Sequence, residues 1–85
     1  MPTISVSRPY SGEELVKFLD AHGYRYVRQR GSHAVLVYED PNTGEKRRVT
    51  VPMHDEIKTG TLRNIAEQCG ANDFREFLDW LDSGI

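Results

Sequence analysis

The sequence predicts a small α+β domain in which one helix, three strands and two further helices follow in that order. Its 85 residues leave room for a single hydrophobic core. Apolar residues recur at helical spacing near both ends of the chain, whereas the middle is rich in aromatic and β-branched residues. Turn-forming residues separate these segments. We therefore expect one domain over residues 1–85, with a meander sheet covered on one face by helices.

The first helix is predicted over residues 12–22. Ser11 and Glu14 form a capping-box pair, in which the serine hydroxyl accepts from an early helix N–H and the glutamate reaches back to the cap. Gly23 is expected to end the helix. The apolar residues at helical spacing within it are Leu15, Phe18 and Leu19.

The middle of the chain predicts a three-stranded meander. The strands are expected at Tyr24–Arg30, His33–Asp40 and Lys46–Val51. Gly31, in the short connection between the first two strands, is free to take the positive φ of a tight hairpin. A turn over residues 40–44 leads to the third strand, which Pro52 ends.

Two more helices are predicted towards the C-terminus. Gly70 closes the second, and Asp73 with Glu76 resembles another capping pair at the start of the last. Trp80 lies off the main apolar stripe of the last helix, so a partner contact and a packed anchor both remain open for it. The apolar residues that mark the second helix, at i, i+3, i+4 and i+7, are Leu62, Ile65, Ala66 and Cys69.

Composition excludes several classes of protein. The single cysteine, Cys69, cannot form an internal disulfide or a cysteine-based metal site. The longest apolar run, Ala34–Tyr38, is far shorter than the roughly 20 residues of a membrane span, and the N-terminus has no apolar signal region. We expect a cytoplasmic protein with a shallow, exposed site and no bound nucleotide cofactor.

Charge is unevenly distributed along the chain. The net charge is −2, yet residues 24–48 carry six basic and three acidic side chains, whereas residues 49–85 carry three and seven. Such an asymmetry can hold a polyanion at one surface and repel it elsewhere, although an ordinary solvated surface is the alternative. The basic residues of the middle segment are Arg25, Arg28, Arg30, Lys46, Arg47 and Arg48.

His33 is the strongest candidate for chemistry among the three histidines. It opens a strand directly after Gly31-Ser32, and Arg28 and Arg30 precede it on the neighbouring strand. An imidazole titrates near neutral pH and can transfer protons there. A polar residue at a strand start is more often only surface decoration, so that interpretation also stays open.

The other candidate residues carry weaker signals. His22, at a helix C-terminus, is expected to be structural. His54 could bind a phosphate or hold its loop in place. The three histidines are too scattered for a recognisable metal motif. The stretch 58–61 lacks the spacing of a P-loop, but its amides could cap the second helix and bind one phosphate.

Four stretches of this sequence carry a pattern that extends over most of the chain. They are Ser11-Gly12, Arg28-Gln29-Arg30-Gly31-Ser32-His33, Arg48-Val49-Thr50-Val51-Pro52-Met53-His54, and Gly60-Thr61-Leu62-Arg63-Asn64-Ile65 with Gln68. Together they resemble the HicA toxin family, the small mRNA interferases of type II toxin–antitoxin systems. The resemblance covers a core of about residues 11–70 and leaves a C-terminal helix of about 73–83 outside it.

The resemblance implies a fold like the double-stranded-RNA-binding domain, α-β-β-β-α, and a metal-independent endoribonuclease that cleaves mRNA without a cofactor. His33 would be its single catalytic histidine, a general acid or base that serves the RNA's own 2′-OH. Ser32, His54 and Lys58 are secondary candidates. A HicB-type antitoxin would silence the toxin by masking His33 and the basic strands; neither a membrane nor DNA by itself is an expected partner. The candidates for RNA binding are Arg28, Arg30, Lys46, Arg47 and Arg48.

Two other functions remain open at this point. The domain could bind RNA through the same basic residues without cleaving it, and cleavage in EDTA that depends on His33 would separate the two. It could also be a pure interaction protein whose last helix docks a partner through an exposed Trp80. RNA affinity with a steep salt dependence would then be absent.

Overall fold

The computed structural model describes residues 8–84 and has the predicted α+β architecture. One helix precedes three antiparallel strands and two helices follow them, with each strand beside its neighbour in sequence, which confirms the predicted fold class. Residues 1–7, where we expect no signal region, lie outside the described part. The elements are α1 (Gly12–Ala21), β1 (Arg25–Arg30), β2 (His33–Glu39), β3 (Lys46–Pro52), α2 (Thr59–Gln68) and α3 (Phe74–Gly84).

Local signals in the sequence set the helix ends. The Ser11 hydroxyl accepts from the Glu14 N–H at 3.1 Å, and the Glu14 carboxylate accepts from the Ser11 N–H at 3.0 Å. Gly23 takes a φ of +91° just beyond the end of α1. At the start of α3 the Asp73 carboxylate accepts from two backbone N–H groups, as the sequence predicts.

The sheet has two faces of different character. Antiparallel partners point to the same side, so the strand register assigns each residue to a face. The inner face, towards the helices, carries Tyr26, Gln29, Ala34, Leu36, Tyr38, Arg47, Val49 and Val51. The outer face, which no described helix covers, carries Arg25, Arg28, Arg30, His33, Val35, Val37, Glu39, Lys46, Arg48, Thr50 and Pro52.

An irregularity in β1 changes which of its side chains share a face. The register shifts between Tyr26 and Arg28, which leaves Val27 as an extra residue opposite no residue of β2. Side chains of a regular strand alternate between faces, so Arg25 would otherwise lie opposite to Arg28. The bulge instead places Arg25 on the outer face with Arg28 and Arg30.

The hydrophobic core fills the space between the inner face and the helices, and α3 closes it. Trp80 of α3 is half-buried, with its ring edge-on against Phe18 at 4.5 Å between centroids and 4.8 Å from the His22 ring. Trp80 is therefore a packed anchor between α3 and α1, one of the two roles predicted for it, and its side chain is half-buried and not fully exposed. His22 also bonds through Nδ1 to the Phe18 carbonyl at 2.8 Å, which agrees with its expected structural role.

Candidate active site

His33 lies at the tip of the β1–β2 hairpin, at one end of the outer face. Gly31 takes a φ of +59°, a conformation that residues with a Cβ rarely adopt. The chain therefore reverses within two residues and His33 opens β2, paired with Arg30 of β1 and Pro52 of β3. Its side chain is exposed, so a substrate can reach the imidazole.

Hydrogen bonds from β1 and from the segment after β3 stabilise this hairpin tip. The Tyr26 hydroxyl donates to Gln29 Oε1 at 3.1 Å, and the Gln29 amide donates to the Gly31 carbonyl at 3.0 Å. The Met53 N–H donates to the Ser32 carbonyl at 2.7 Å. Nothing in the sequence marks Gln29 for this role, because its hydrogen bonds depend on the shape of the folded turn.

Four arginines without protein partners in the described part of the chain extend along the outer face from the end at which His33 lies. Within residues 8–84 their side chains form no ion pair and no hydrogen bond. A hollow of about 390 Å³ opens on the outer face beside His33, and we call it the arginine hollow. Its lining residues are Arg30, His33, Val35, Arg48 and Thr50. Guanidinium groups with free donors bind phosphate well. The four arginines are Arg25, Arg28, Arg30 and Arg48.

The remaining two predicted RNA-binding residues lie elsewhere. Arg47 points to the inner face, where its guanidinium donates to the Cys69 carbonyl at 2.8 Å and places positive charge at the end of α2. Lys46 shares the outer face but pairs with Glu39 at 4.0 Å. It lies six residues along the sheet from His33, roughly 20 Å at strand spacing. The outer face therefore presents only the other three predicted arginines without partners among the described residues, and the bulge adds Arg25, which lies four residues along the sheet from His33.

A second hollow, the α2 cleft, opens on the other side of His33. It encloses about 420 Å³ between the end of β3 and α2. Two of the secondary candidates, His54 and Lys58, line this cleft together with His33. The side chains of α2 that line it include Thr61, Asn64 and Gln68.

Close contact with α1 fixes the loop that carries His54. The Gly12 N–H donates to the His54 carbonyl at 2.9 Å. A Cβ at Gly12 would lie 2.7 Å from the Met53 Cα and would also overlap the Pro52 carbonyl oxygen. The glycine of the Ser11-Gly12 pair is therefore required by the close approach of the loop.

The buried titratable groups lie apart from His33. Burial raises the pKa of the Tyr24 phenol and of the Cys69 thiol. Both belong to the hydrophobic core and neither lines the arginine hollow or the α2 cleft. Neither group is therefore a candidate for chemistry at the outer face.

Residues 8–84 contain neither a cluster of metal ligands nor a helix that could span a membrane. No group of three or more His, Cys, Asp or Glu side chains in this range lies together as metal ligands would. None of the helices described there is both long and apolar enough to cross a membrane.

Comparison with known proteins identifies the family. The family model described as "HicA toxin of bacterial toxin-antitoxin" matches residues 12–71, a range that includes both the His33 hairpin and the α2 cleft. The chain belongs to the HicA toxin family. It is therefore a toxin of a toxin–antitoxin system, and this membership implies an antitoxin as partner. No curated protein and no solved structure gives a significant match to this HicA chain.

Proposed function

We propose that this HicA toxin is a metal-independent endoribonuclease that cleaves mRNA, with His33 as its general acid or base. One observation carries the proposal. His33 is exposed between a hollow lined by unpartnered arginines and a cleft beside α2, on a face that no described helix covers. A polyanion with a reactive phosphate fits that combination of charge, exposure and proton-transfer chemistry.

The reaction needs only proton transfers and charge stabilisation, because RNA carries its own nucleophile. A base removes the proton of the 2′-OH as its oxygen attacks the neighbouring phosphorus, and an acid protonates the departing 5′-oxygen. The products are a 2′,3′-cyclic phosphate and a 5′-hydroxyl end. A histidine side chain can make either transfer, so we assign one of them to His33, and His54, in the same cleft, is the first candidate for the other.

The outer arginines supply the electrostatic part. Arg30 and Arg48 line the hollow next to His33, where they would bind the scissile phosphate and stabilise the charge that develops on it. Arg25 and Arg28 extend the positive surface along β1. Single-stranded RNA fits this open surface best, because its backbone can bend into the in-line geometry of attack.

We propose that a HicB-type antitoxin silences the toxin by covering the outer face. The arginines there have no acidic partner within the described residues, so an acidic surface on the antitoxin would complement them. Antitoxin and RNA would then compete for the same arginines and for access to His33. Both would meet the toxin in the cytoplasm, where mRNA is translated.

Cleavage of labelled single-stranded RNA in EDTA by the wild type, His33→Ala and His22→Ala tests the proposal. Loss of a general acid or base costs roughly 100- to 10,000-fold in rate, so we expect that loss for His33→Ala only. His22 is the matched control because its ring packs against Phe18 and Trp80, away from the outer face. Mass spectrometry of the products should find 2′,3′-cyclic phosphate and 5′-hydroxyl ends.

The melting temperature and antitoxin binding of His33→Ala should change little, because an exposed side chain leaves no cavity. A folded and active His33→Ala protein would transfer the catalytic role to His54 or remove the nuclease function. A wild type that binds RNA and never cleaves it would establish the second candidate, a non-catalytic RNA-binding module, which the same unpartnered arginines favour.

A further inference from the structure

We infer that the α2 cleft is a nucleobase subsite that sets the cleavage preference of the toxin, with Gln68 as the residue that reads the base. This inference rests on the proposed RNA cleavage. The cleft shares His33 and Thr50 with the arginine hollow. An RNA strand whose scissile phosphate lies in the hollow at His33 therefore places an adjacent base at the mouth of the cleft.

The size and lining of the cleft match a base. Its volume of about 420 Å³ lies within the range of roughly 300–1,000 Å³ found for small-molecule sites. A base is a flat ring with hydrogen-bonding groups along its edge, so it needs an apolar surface beside polar side chains. The apolar floor of the cleft is formed by Pro52, Ile57 and Ile65. Each of these residues is largely buried and exposes only a small part of its surface to the cleft.

The polar side of the cleft comes from one face of α2. Thr61, Asn64 and Gln68 are spaced at i, i+3 and i+7, which aligns them along the helix. They lie beside the apolar stripe that packs into the core, so α2 presents one side to the core and the next to the cleft. Two of the three are amides, whose donor and acceptor groups can bond to the edge of a base.

Gln68 is held in one orientation by the sheet. Its Oε1 accepts from the Thr50 N–H at 2.9 Å. Among residues 8–84, β3 is an edge strand, and no further strand there bonds to that N–H. Because a backbone N–H can only donate, the oxygen of the Gln68 amide must face it, and the NH₂ group is left as a donor. Gln68 therefore favours a base with an acceptor, a carbonyl oxygen or a ring nitrogen, at this position.

Gln68→Glu is the variant that separates recognition from folding. The carboxylate retains an oxygen for the Thr50 N–H, but it replaces the NH₂ donor with a second acceptor. Glu67→Gln is the matched control: it makes the reverse change at the preceding residue of α2, which is exposed and does not line the cleft. Neither position carries a proton in the proposed reaction.

The substrates are short 2′-O-methyl RNA strands with a single ribonucleotide, which confines the cut to one phosphate. Sixteen strands vary the base on each side of that phosphate. We expect the wild type to prefer one base at one side by about 3- to 10-fold, the value of one neutral hydrogen bond. Gln68→Glu should lose that preference through slower cleavage of the favoured strands, and Glu67→Gln should keep it.

The outcomes distinguish this inference from the proposed function. Cleavage without any base preference, or with a preference that Gln68→Glu leaves unchanged, overturns the base subsite and leaves the ribonuclease intact. If the wild type cuts none of the strands, the ribonuclease proposal fails, and fluorescence anisotropy on the same sixteen strands decides the subsite. A binding preference that Gln68→Glu removes then supports it, and equal binding of all strands overturns it.

Discussion

The arginines on the two sides of the sheet differ in whether they have partners within the protein. On the helical side, Arg8 forms an ion pair with a glutamate at 2.6 Å, Arg47 donates to the carbonyl that ends α2, and Arg63 lies 4.5 Å from the centroid of a phenylalanine ring. On the outer face no arginine has such a partner within residues 8–84. The arginines concerned are Arg25, Arg28, Arg30 and Arg48.

This difference separates the charges that serve the fold from those that we propose to bind RNA. Cations with protein partners contribute to packing and to helix termini, whereas exposed cations without partners add little stability and repel one another. The apolar residues follow the same division. Leu36 lies deep in the core, whereas Val35 is buried on the outer face although no described helix covers it. Val35 instead lines the arginine hollow together with Arg30 and Arg48.

The largest expected effect compares these two adjacent residues of β2. Leu36→Ala leaves a cavity in a closely packed core and should lower the free energy of unfolding by about 2–5 kcal/mol. Val35→Ala should cost only about 1 kcal/mol, because flexible arginine side chains can close over the gap. Chemical denaturation of the two variants measures both values. Equal losses would mean that the outer face is packed as tightly as the core.

The next effect concerns the turn that presents His33 on the outer face. No atom lies within 4 Å of a Cβ built on Gly31, so the cost of Gly31→Val comes from its φ of +59°. That conformation costs about 1–2 kcal/mol for a residue with a Cβ, and we expect RNA cleavage to fall as the tip moves. Gly60 has equally open surroundings and no positive φ. Gly60→Val should therefore retain the wild-type stability, and an equally stable Gly31→Val would refute the role of the turn.

A smaller effect on RNA binding should distinguish the outer-face arginines, which have no partner within residues 8–84, from Arg47, which has one. Arg28→Ala combined with Arg30→Ala should weaken RNA binding and reduce its salt slope by about 1.4, at roughly 0.7 for each phosphate contact with a single strand. The melting temperature should barely change. Arg47→Ala should instead lower stability by about 1 kcal/mol through the lost bond to the Cys69 carbonyl and leave the salt slope unchanged. A reduced slope in Arg47→Ala would place RNA on the helical side.

The smallest expected effect concerns the stability contributed by the ion pair between Arg8 and Glu14 at the start of α1. The ion pair with Arg8 and the Ser11 N–H hold the pKa of Glu14 below its ordinary value of 4.5. A lowered carboxyl pKa stabilises the fold above pH 4.5, and this contribution disappears as the pH falls through the lower folded-state value. Glu14→Gln keeps the cap acceptor without the charge. Its deficit in melting temperature should be small, because the pair is exposed, and should shrink as the pH falls from 7 towards 3.

The sequence by itself determined the order of the elements and pointed to the histidine on which the proposed function rests. Ser11 with Glu14 marks the start of α1, Gly31 marks the hairpin, and His33 directly follows that turn. Each of these signals acts between residues a few positions apart. Backbone hydrogen bonds and φ angles at such distances are decided locally, so they can be read without knowledge of the fold.

Only the tertiary structure decided which side chains meet. The bulge at Val27 moves Arg25 to the outer face, the end of α2 engages Arg47 on the other side, and the bond from Thr50 to Gln68 orients an amide beside β3. These contacts depend on strand register and on packing between segments about 20 residues apart. Local periodicity specifies neither, because register is settled by the whole set of inner-face residues that must be buried together.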